Sequence, residues 1–189
     1  AENALTFKQV VKSIAHQHDL YATFMPKPIF GVCGSGMHCH QSFFDMKTRK
    51  NIFFDEKDEY KLSKVARQFI AGQLLHVRAM SAILSPTVNS YKRLVPGYEA
   101  PVYICWGQKN RSALIRIPRF SQGREQAARA ELRCPDPSNN PYLALAVMLE
   151  AGLDGIKRGI APPNPVEENV YEFNKDELAY RNIATLPGS

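Results

Sequence analysis

The sequence predicts an α+β fold. Two long stretches, Ala66 to Leu84 and Tyr142 to Arg158, carry apolar residues at helical spacing. Between and around them lie short runs with strand character: Met37 to Phe44, Val102 to Trp106, Ser112 to Ile117 and Arg129 to Cys134. At 189 residues and 44% hydrophobic, the chain suits one domain, or one large piece of a bigger one, with a substantial core.

Taken in order, residues 5–18 read as a short amphipathic helix with Leu5, Val10, Val11 and Ile14 as its buried face. Tyr21 to Met25 reads as a strand closed by Pro26 and Pro28. Gly34-Ser35-Gly36 makes a turn whose backbone can approach a ligand closely, and the strand Met37 to Phe44 follows it. Asp45 to Lys61 is polar and charged, as expected of a surface excursion. Ser63 is placed to cap a long helix whose face is Ala66, Phe69, Ile70, Leu74, Val77, Met80 and Leu84, ended by Pro86. His76 within that helix reads as a hydrogen-bonded histidine rather than a ligand. Thr87 to Ala100, with Pro96-Gly97, reads as a loop. Val102 to Trp106 and Ser112 to Ile117 form a strand pair joined by the polar turn Gly107 to Arg111, and Arg129 to Cys134 adds another strand. Asn140-Pro141 opens a helix that Gly159 stops, and its opening turns, apolar on several sides, are expected to be buried. The proline-rich Ala161 to Val166 should be extended, with a last helical piece over Lys175 to Arg181.

Composition narrows the function. The formal charge is +6, but Arg111, Arg116, Arg119, Arg124, Arg129 and Arg133 are dispersed through apolar, strand-like sequence. That placement suits a small anion in a cleft better than a nucleic-acid surface. No apolar run approaches bilayer length and no signal peptide is recognisable. Cys33, Cys39, Cys105 and Cys134 form no CxxC pair, so they read as reduced thiols of a cytoplasmic protein.

Three constellations carry chemistry. His38 and His40 alternate on their strand, so both imidazoles face one way, as metal ligands or phosphate contacts do, unless they are incidental residues of a buried strand. In Arg129-Ala130-Glu131-Leu132-Arg133 the charges share one face and Ala130 and Leu132 pack behind. Glu131 between guanidiniums suits a metal beside phosphate oxygens; a structural Arg–Glu ladder is the equal alternative. Arg93 and Glu99 share the loop after residue 87, where a guanidinium can grip a carboxylate and a carboxylate can swing as a lid; standing alone, the segment reads as an ordinary solvated loop. No GxxxxGK[ST] or GxGxxG phosphate signature is present, so any nucleotide must be held by arginines, imidazole and metal.

The blocks "ATFMPKP", "GSGMHCHQS", "NSYKRLVPGYEAPVY" and "RAELRCPDPSNNPYLALAVMLEAGLDGI" resemble the catalytic region of type I glutamine synthetase over most of the chain. The resemblance implies a curved, antiparallel-rich sheet, a half barrel, flanked by helices. It implies ATP-dependent ligation of ammonia to glutamate through γ-glutamyl phosphate, with Mg²⁺ or Mn²⁺. Residue by residue, His38 and Glu131 match metal ligands, and His40 and Ser42 match positions lining the nucleotide. Gly34, Arg93 and Arg133 match glutamate contacts. Arg111, Arg116 and Arg129 match arginines around ATP and the transferred phosphate, and Glu99 matches the flap glutamate that closes the ammonia site. Arg111 and Glu99 are thereby the implied catalytic residues. Cys33 stands where the family usually has asparagine. The family's other metal-binding glutamates, its amino-terminal β domain and its last helices find no counterpart, so residues 1–189 are expected to be a partial catalytic domain, inactive alone. The resemblance further implies a homo-oligomer of stacked hexameric rings for the full-length enzyme. The rivals are a glutamate–polyamine ligase of the same superfamily and a non-catalytic structural relative; intact His38, Glu131, Arg93, Arg116 and Glu99 argue against the latter. Tyr171 falls near a position adenylylated in some members.

Overall fold

The structure, a computed structural model, describes residues 1–189. Its helices are α1 (Glu2–Gln17), α2 (Lys64–Leu84), α3 (Val88–Arg93), α4 (Pro141–Arg158) and α5 (Lys175–Tyr180). Its strands are β1 (Cys39–Gln41), β2 (Tyr103–Gly107), β3 (Ala113–Arg116) and β4 (Ala130–Leu132), ordered β1-β4-β3-β2 in one sheet. This is the expected α+β class: β4 is antiparallel to both β1 and β3, while β2 and β3 run parallel.

Helices α2 and α4 form the floor under the sheet. Ser63 caps α2 by accepting from Ala66 N, and every residue of the expected stripe is buried. Asn140 caps α4 through Tyr142 N and Leu143 N, Pro141 occupies its first turn, and Gly159 ends it in the left-handed conformation at φ 64°. The stripe joins Trp106, Leu114, Ala130, Leu132 and Met148 in one core. Each of its Leu, Ile, Val, Phe and Met side chains, fully buried, contributes roughly 1.5–3 kcal/mol. The helices meet where they carry no side chain. A Cβ on Gly72 would run into the Ala151 carbonyl, one on Gly155 into the Gln68 carbonyl, and one on Gly152 into the Phe69 ring. Gln73, with no exposed surface, donates to Met148 O at 3.0 Å and Gln41 Oε1 at 2.7 Å, tying both helices to β1.

Several elements differ from expectation. Helix α1 forms, but Leu5, Val10 and Ile14 are exposed and only Val11 of the four is half-buried, because the helix turns a different stripe, Ala4, Lys8, Val11 and Ala15, inward. Tyr21 to Met25 is not a strand: it finds no ladder partner, and Phe24 packs edge-on against Phe7 of α1 at 6.1 Å instead. The His-bearing strand shortens to Cys39–Gln41. The 45–61 excursion dips inward, where Phe53 is fully buried against Phe43 and Phe69, and the Asn51 amide donates to Ala128 O and Gln126 O. Thr87 to Ala100 begins as α3, opened by a capping box between Thr87 and Ser90. The strand pair after it is not a hairpin. The Glu167 carboxylate accepts from Gln108 N and Lys109 N, and Asn110 donates to Val166 O; these distant anchors carry the connection back so that β3 runs alongside β2 in the same direction. The opening turns of α4 leave Tyr142, Leu143 and Leu145 exposed. No helix is long and apolar enough to cross a membrane.

The glycine contact gives a stability prediction. Alanine is favoured over glycine inside a helix by about 1 kcal/mol, yet Gly155→Ala should lower stability by roughly 1–3 kcal/mol, because its methyl meets backbone that cannot swing aside. The urea midpoint of the chain measures it; an unchanged or raised midpoint would mean that α2 and α4 separate freely.

Candidate functional site

The site grows from strand register. β4 lies between β1 and β3, with Glu131 opposite His40 on one side and opposite Arg116 on the other. Alternation then brings His38, His40, Glu131 and Arg116 to one face, while Ala130 and Leu132 enter the core behind. Glu131 is only 1% exposed. Its Oε2 accepts from Arg116 Nε at 2.6 Å, and its Oε1 lies 3.0 Å from His38 Nδ1 and 3.9 Å from His40 Nε2. Burial works against the charge. The hydrogen bonds from His38 and Arg116, with the positive charge beside them, outweigh it and hold the carboxyl at about 2. Cys39 takes the opposite face, and burial pushes its thiol up to about 11.

Arg129 reaches the same face from the other side of His40, donating from Nε to His40 Nδ1 at 3.0 Å. That nitrogen must be unprotonated to accept, so the imidazole carries its proton on Nε2, toward Glu131. Burial, reinforced by Arg129, Arg116 and His38, lowers the His40 pKa against the pull of Glu131. The ring is therefore neutral near pH 7.

The glycine-rich turn borders this face. Ser35 N donates to Pro26 O and Met37 N to Pro135 O, both at 2.8 Å. A Cβ on Gly34 would strike the Pro26 carbonyl; one on Gly36 would come within 2.6 Å of Arg93 Nη2 and 3.1 Å of His38 Nε2. Only glycine lets the turn lie this close to both groups. Arg93 does not sit in a mobile loop: it ends α3, is 4% exposed, and donates to Cys134 O, Pro135 O and Arg133 O. Arg133, buried beside it, donates to the main-chain oxygens of Arg111, Ala113 and Glu99. Its Nε is buried without a protein acceptor.

The remaining sites lie at the margins. Glu99 is exposed, in the left-handed conformation at φ 57°. Arg111 is exposed in the turn just before β3, and Ser42 is half-buried just beyond β1. The structure thus brings together His38, His40, Glu131, Arg116 and Arg129 around one carboxylate. Gly34 and Arg93 adjoin them, and Arg133 links to Arg111 and Glu99. His76 bonds Asp154 at 2.8 Å, as a satisfied histidine should. The Tyr171 hydroxyl donates to Ala100 O at 2.5 Å.

An imidazole nitrogen and a carboxylate oxygen are donors that Mn²⁺ and, more weakly, Mg²⁺ accept. His38 and Glu131 fit such an ion, with Arg116 orienting the carboxylate from its other oxygen. They make only part of a coordination shell, since no group of three or more His, Cys, Asp or Glu side chains is clustered to hold a metal. Sequence reasoning missed Lys27 and Asn89, whose mutual hydrogen bonds fasten the residue before Pro28 to α3. Flanking prolines were the available signal, because they restrict the backbone there without indicating burial.

Comparison with known proteins agrees with this geometry. Residues 1–189 match the family described as "Glutamine synthetase, catalytic domain". The chain is 57% identical over its whole length to the glutamine synthetase of Clostridium saccharobutylicum, covering 42% of that protein. It is 58% identical to that of Pyrococcus abyssi, covering 41%. A cryo-EM structure of Plasmodium falciparum glutamine synthetase superposes with a TM-score of 0.83 at 37% identity, over 88% of this chain and 32% of that one. The chain spans about two-fifths of the length of the curated relatives it matches. The match over residues 1–189 places this chain in the glutamine synthetase catalytic-domain family.

Proposed function

We propose that this chain forms part of the site of a glutamate–ammonia ligase, which makes glutamine from glutamate, ammonia and ATP through γ-glutamyl phosphate. The observation that carries the reading is the buried Glu131 carboxylate, held ionised by Arg116 and His38 beside a glycine turn packed on Arg93. High identity to glutamine synthetases across the whole chain favours ammonia over a polyamine as the acceptor.

The residues divide the chemistry. Gly34, Arg93 and Arg133 bind glutamate: the turn offers backbone, and the two guanidiniums offer donors left over from their main-chain bonds. His40, Ser42, Arg116 and Arg129 line the nucleotide, and exposed Arg111 is free to meet the transferred phosphate. A bound Mg²⁺ or Mn²⁺ supplies further charge neutralisation at that phosphate, with His38 and Glu131 as its ligands from this chain. Glu99 excludes water from the acyl phosphate and accepts a proton from ammonium, which frees ammonia to attack the acyl carbon as phosphate leaves. The full-length protein is, on this reading, a cytoplasmic homo-oligomer.

Two experiments on the full-length protein test the assignment. Glu131→Ala and His38→Ala should each lower turnover and Mn²⁺ affinity more than ~100-fold, beyond the ~10- to 100-fold that loss of an outer partner costs. Cys39→Ala, on the opposite strand face, should change either by only a few-fold. Equal damage from Cys39→Ala in Mn²⁺ titration would overturn the face assignment.

Glu99→Ala should spare ATP and glutamate binding and slow amide formation, by about 10²- to 10⁴-fold if the carboxylate is a general base. Acyl-phosphate hydrolysis would then compete, so glutamine formed per ATP consumed should fall. An unchanged ratio with only a raised KM for glutamate would reduce Glu99 to a binding residue.

A further inference from the structure

One lysine is kept from solvent. Lys27 is 7% exposed. An ammonium has three donors and no acceptor, so its burial needs partners. Nζ donates to the Val32 carbonyl and lies 3.8 Å from the centroid of the Tyr98 ring. Its backbone is clamped as well: Lys27 N donates to Asn89 Oδ1 at 2.7 Å, and Asn89 Nδ2 donates to Lys27 O at 2.9 Å. Lys27 therefore bridges two segments far apart in sequence: the stretch from Pro26, whose carbonyl accepts from Ser35 N, to Val32, which leads into the glycine-rich turn, and the loop after α3. The bridge walls a cleft of about 530 Å³ that also touches Met25, Phe30 and Val95.

The loop end of the bridge is consequential. Tyr98 directly precedes Glu99, a non-glycine residue at φ 57°. That backbone state costs about 1 kcal/mol or more unless surrounding structure enforces it. Two restraints flank it here: the Arg133 guanidinium on the Glu99 carbonyl at 3.4 Å, and the Lys27 ammonium on the neighbouring ring.

We propose that Lys27 is a positioning residue whose cation–π contact with Tyr98 latches the Glu99 loop to the glycine-rich turn, so that the two close as one unit over the carboxyl end of glutamate. The catalytic consequence rests on the glutamine-forming reading of the site; the latch itself does not.

The test uses the full-length protein with Lys27→Met, Lys27→Arg and Tyr98→Leu. The first readout, cleavage after Glu99 by a glutamyl endopeptidase, is followed by mass spectrometry against cleavage after exposed Glu56. It needs no enzymatic turnover. Loss of a cation–π contact of this kind should raise the open population, and hence the Glu99 cleavage rate, about 3- to 30-fold in Lys27→Met and Tyr98→Leu. Lys27→Arg should restore most of the protection, and the double variant Lys27→Met/Tyr98→Leu should be no worse than either single one. The second readout is kinetic: KM for glutamate should rise and glutamine formed per ATP should fall, with KM for ATP unchanged. Faster Glu99 cleavage in a protein that forms no glutamine would sink the proposed function and leave the latch standing. Unchanged cleavage and unchanged KM for glutamate, in an active and folded Lys27→Met, would overturn the latch. Additive effects in the double variant would do the same. Should Lys27→Met fail to fold, Tyr98→Leu carries the same comparison alone.

Discussion

The site depends on one constraint: a carboxylate on a central strand, almost wholly removed from water. Glu131 sits between two antiparallel neighbours, so its register alone sets which residues flank it. Leaving it unpaired would cost several kcal/mol, since removing one partner of a buried ion pair costs ~3–5 kcal/mol. Arg116 and His38 satisfy the two carboxylate oxygens separately. The pairing fixes the rotamer of Glu131, orients His38, and through His40 reaches Arg129. Two guanidiniums and two imidazoles thus stand around a single fixed carboxylate.

The arginines show why charge at such a site has two uses. Arg93 and Arg133 are buried, and burial disfavours the charge of each. Both answer it by donating to main-chain carbonyls of the segments that bound the site. A guanidinium has five N–H groups, so it can brace a backbone and still offer donors to an anion. Lysine, with three donors on a flexible stem, serves this double purpose poorly. Replacing either arginine should therefore loosen the segments it braces, whereas exposed Arg111 carries no comparable structural role.

Local physics written in the sequence anticipated the elements whose partners lie within their own periodicity. Helix α2 was readable because its stripe, its serine cap and the following Pro86 all agree, and α4 because Asn140, Pro141 and Gly159 bracket it. The shared face of His38, His40 and Glu131 was readable because a period of two needs no knowledge of the neighbouring strand. What the sequence did not reveal was set at a distance. The face of α1 expected to be buried is not, because periodicity cannot name what lies against a helix: Leu5, Val10 and Ile14 stay exposed, while the half-buried residues are Ala4, Lys8, Val11 and Ala15. The direction of β3 hangs on Glu167, far along the chain from the connection it anchors. The burial of Arg93 hangs on the carbonyls of residues 133–135, which polarity and a Pro-Gly pair gave no means to foresee.

The same logic explains why the glycine turn, the Glu99 loop and the β4 segment form one assembly. Each is short, and none has enough regular hydrogen bonding to hold its own shape. The turn is held by Pro26 and Pro135 carbonyls, the start of the loop by Arg93 at the end of α3, and the residues after β4 by the guanidinium of that same Arg93. Gly36 closes the circuit by leaving room for Arg93 and His38 at once. A methyl there would have to displace either the arginine that braces residues 133–135 or the histidine that pairs with Glu131. The absence of one side chain is thus coupled to the ionisation of a carboxylate on a strand nearly a hundred residues away.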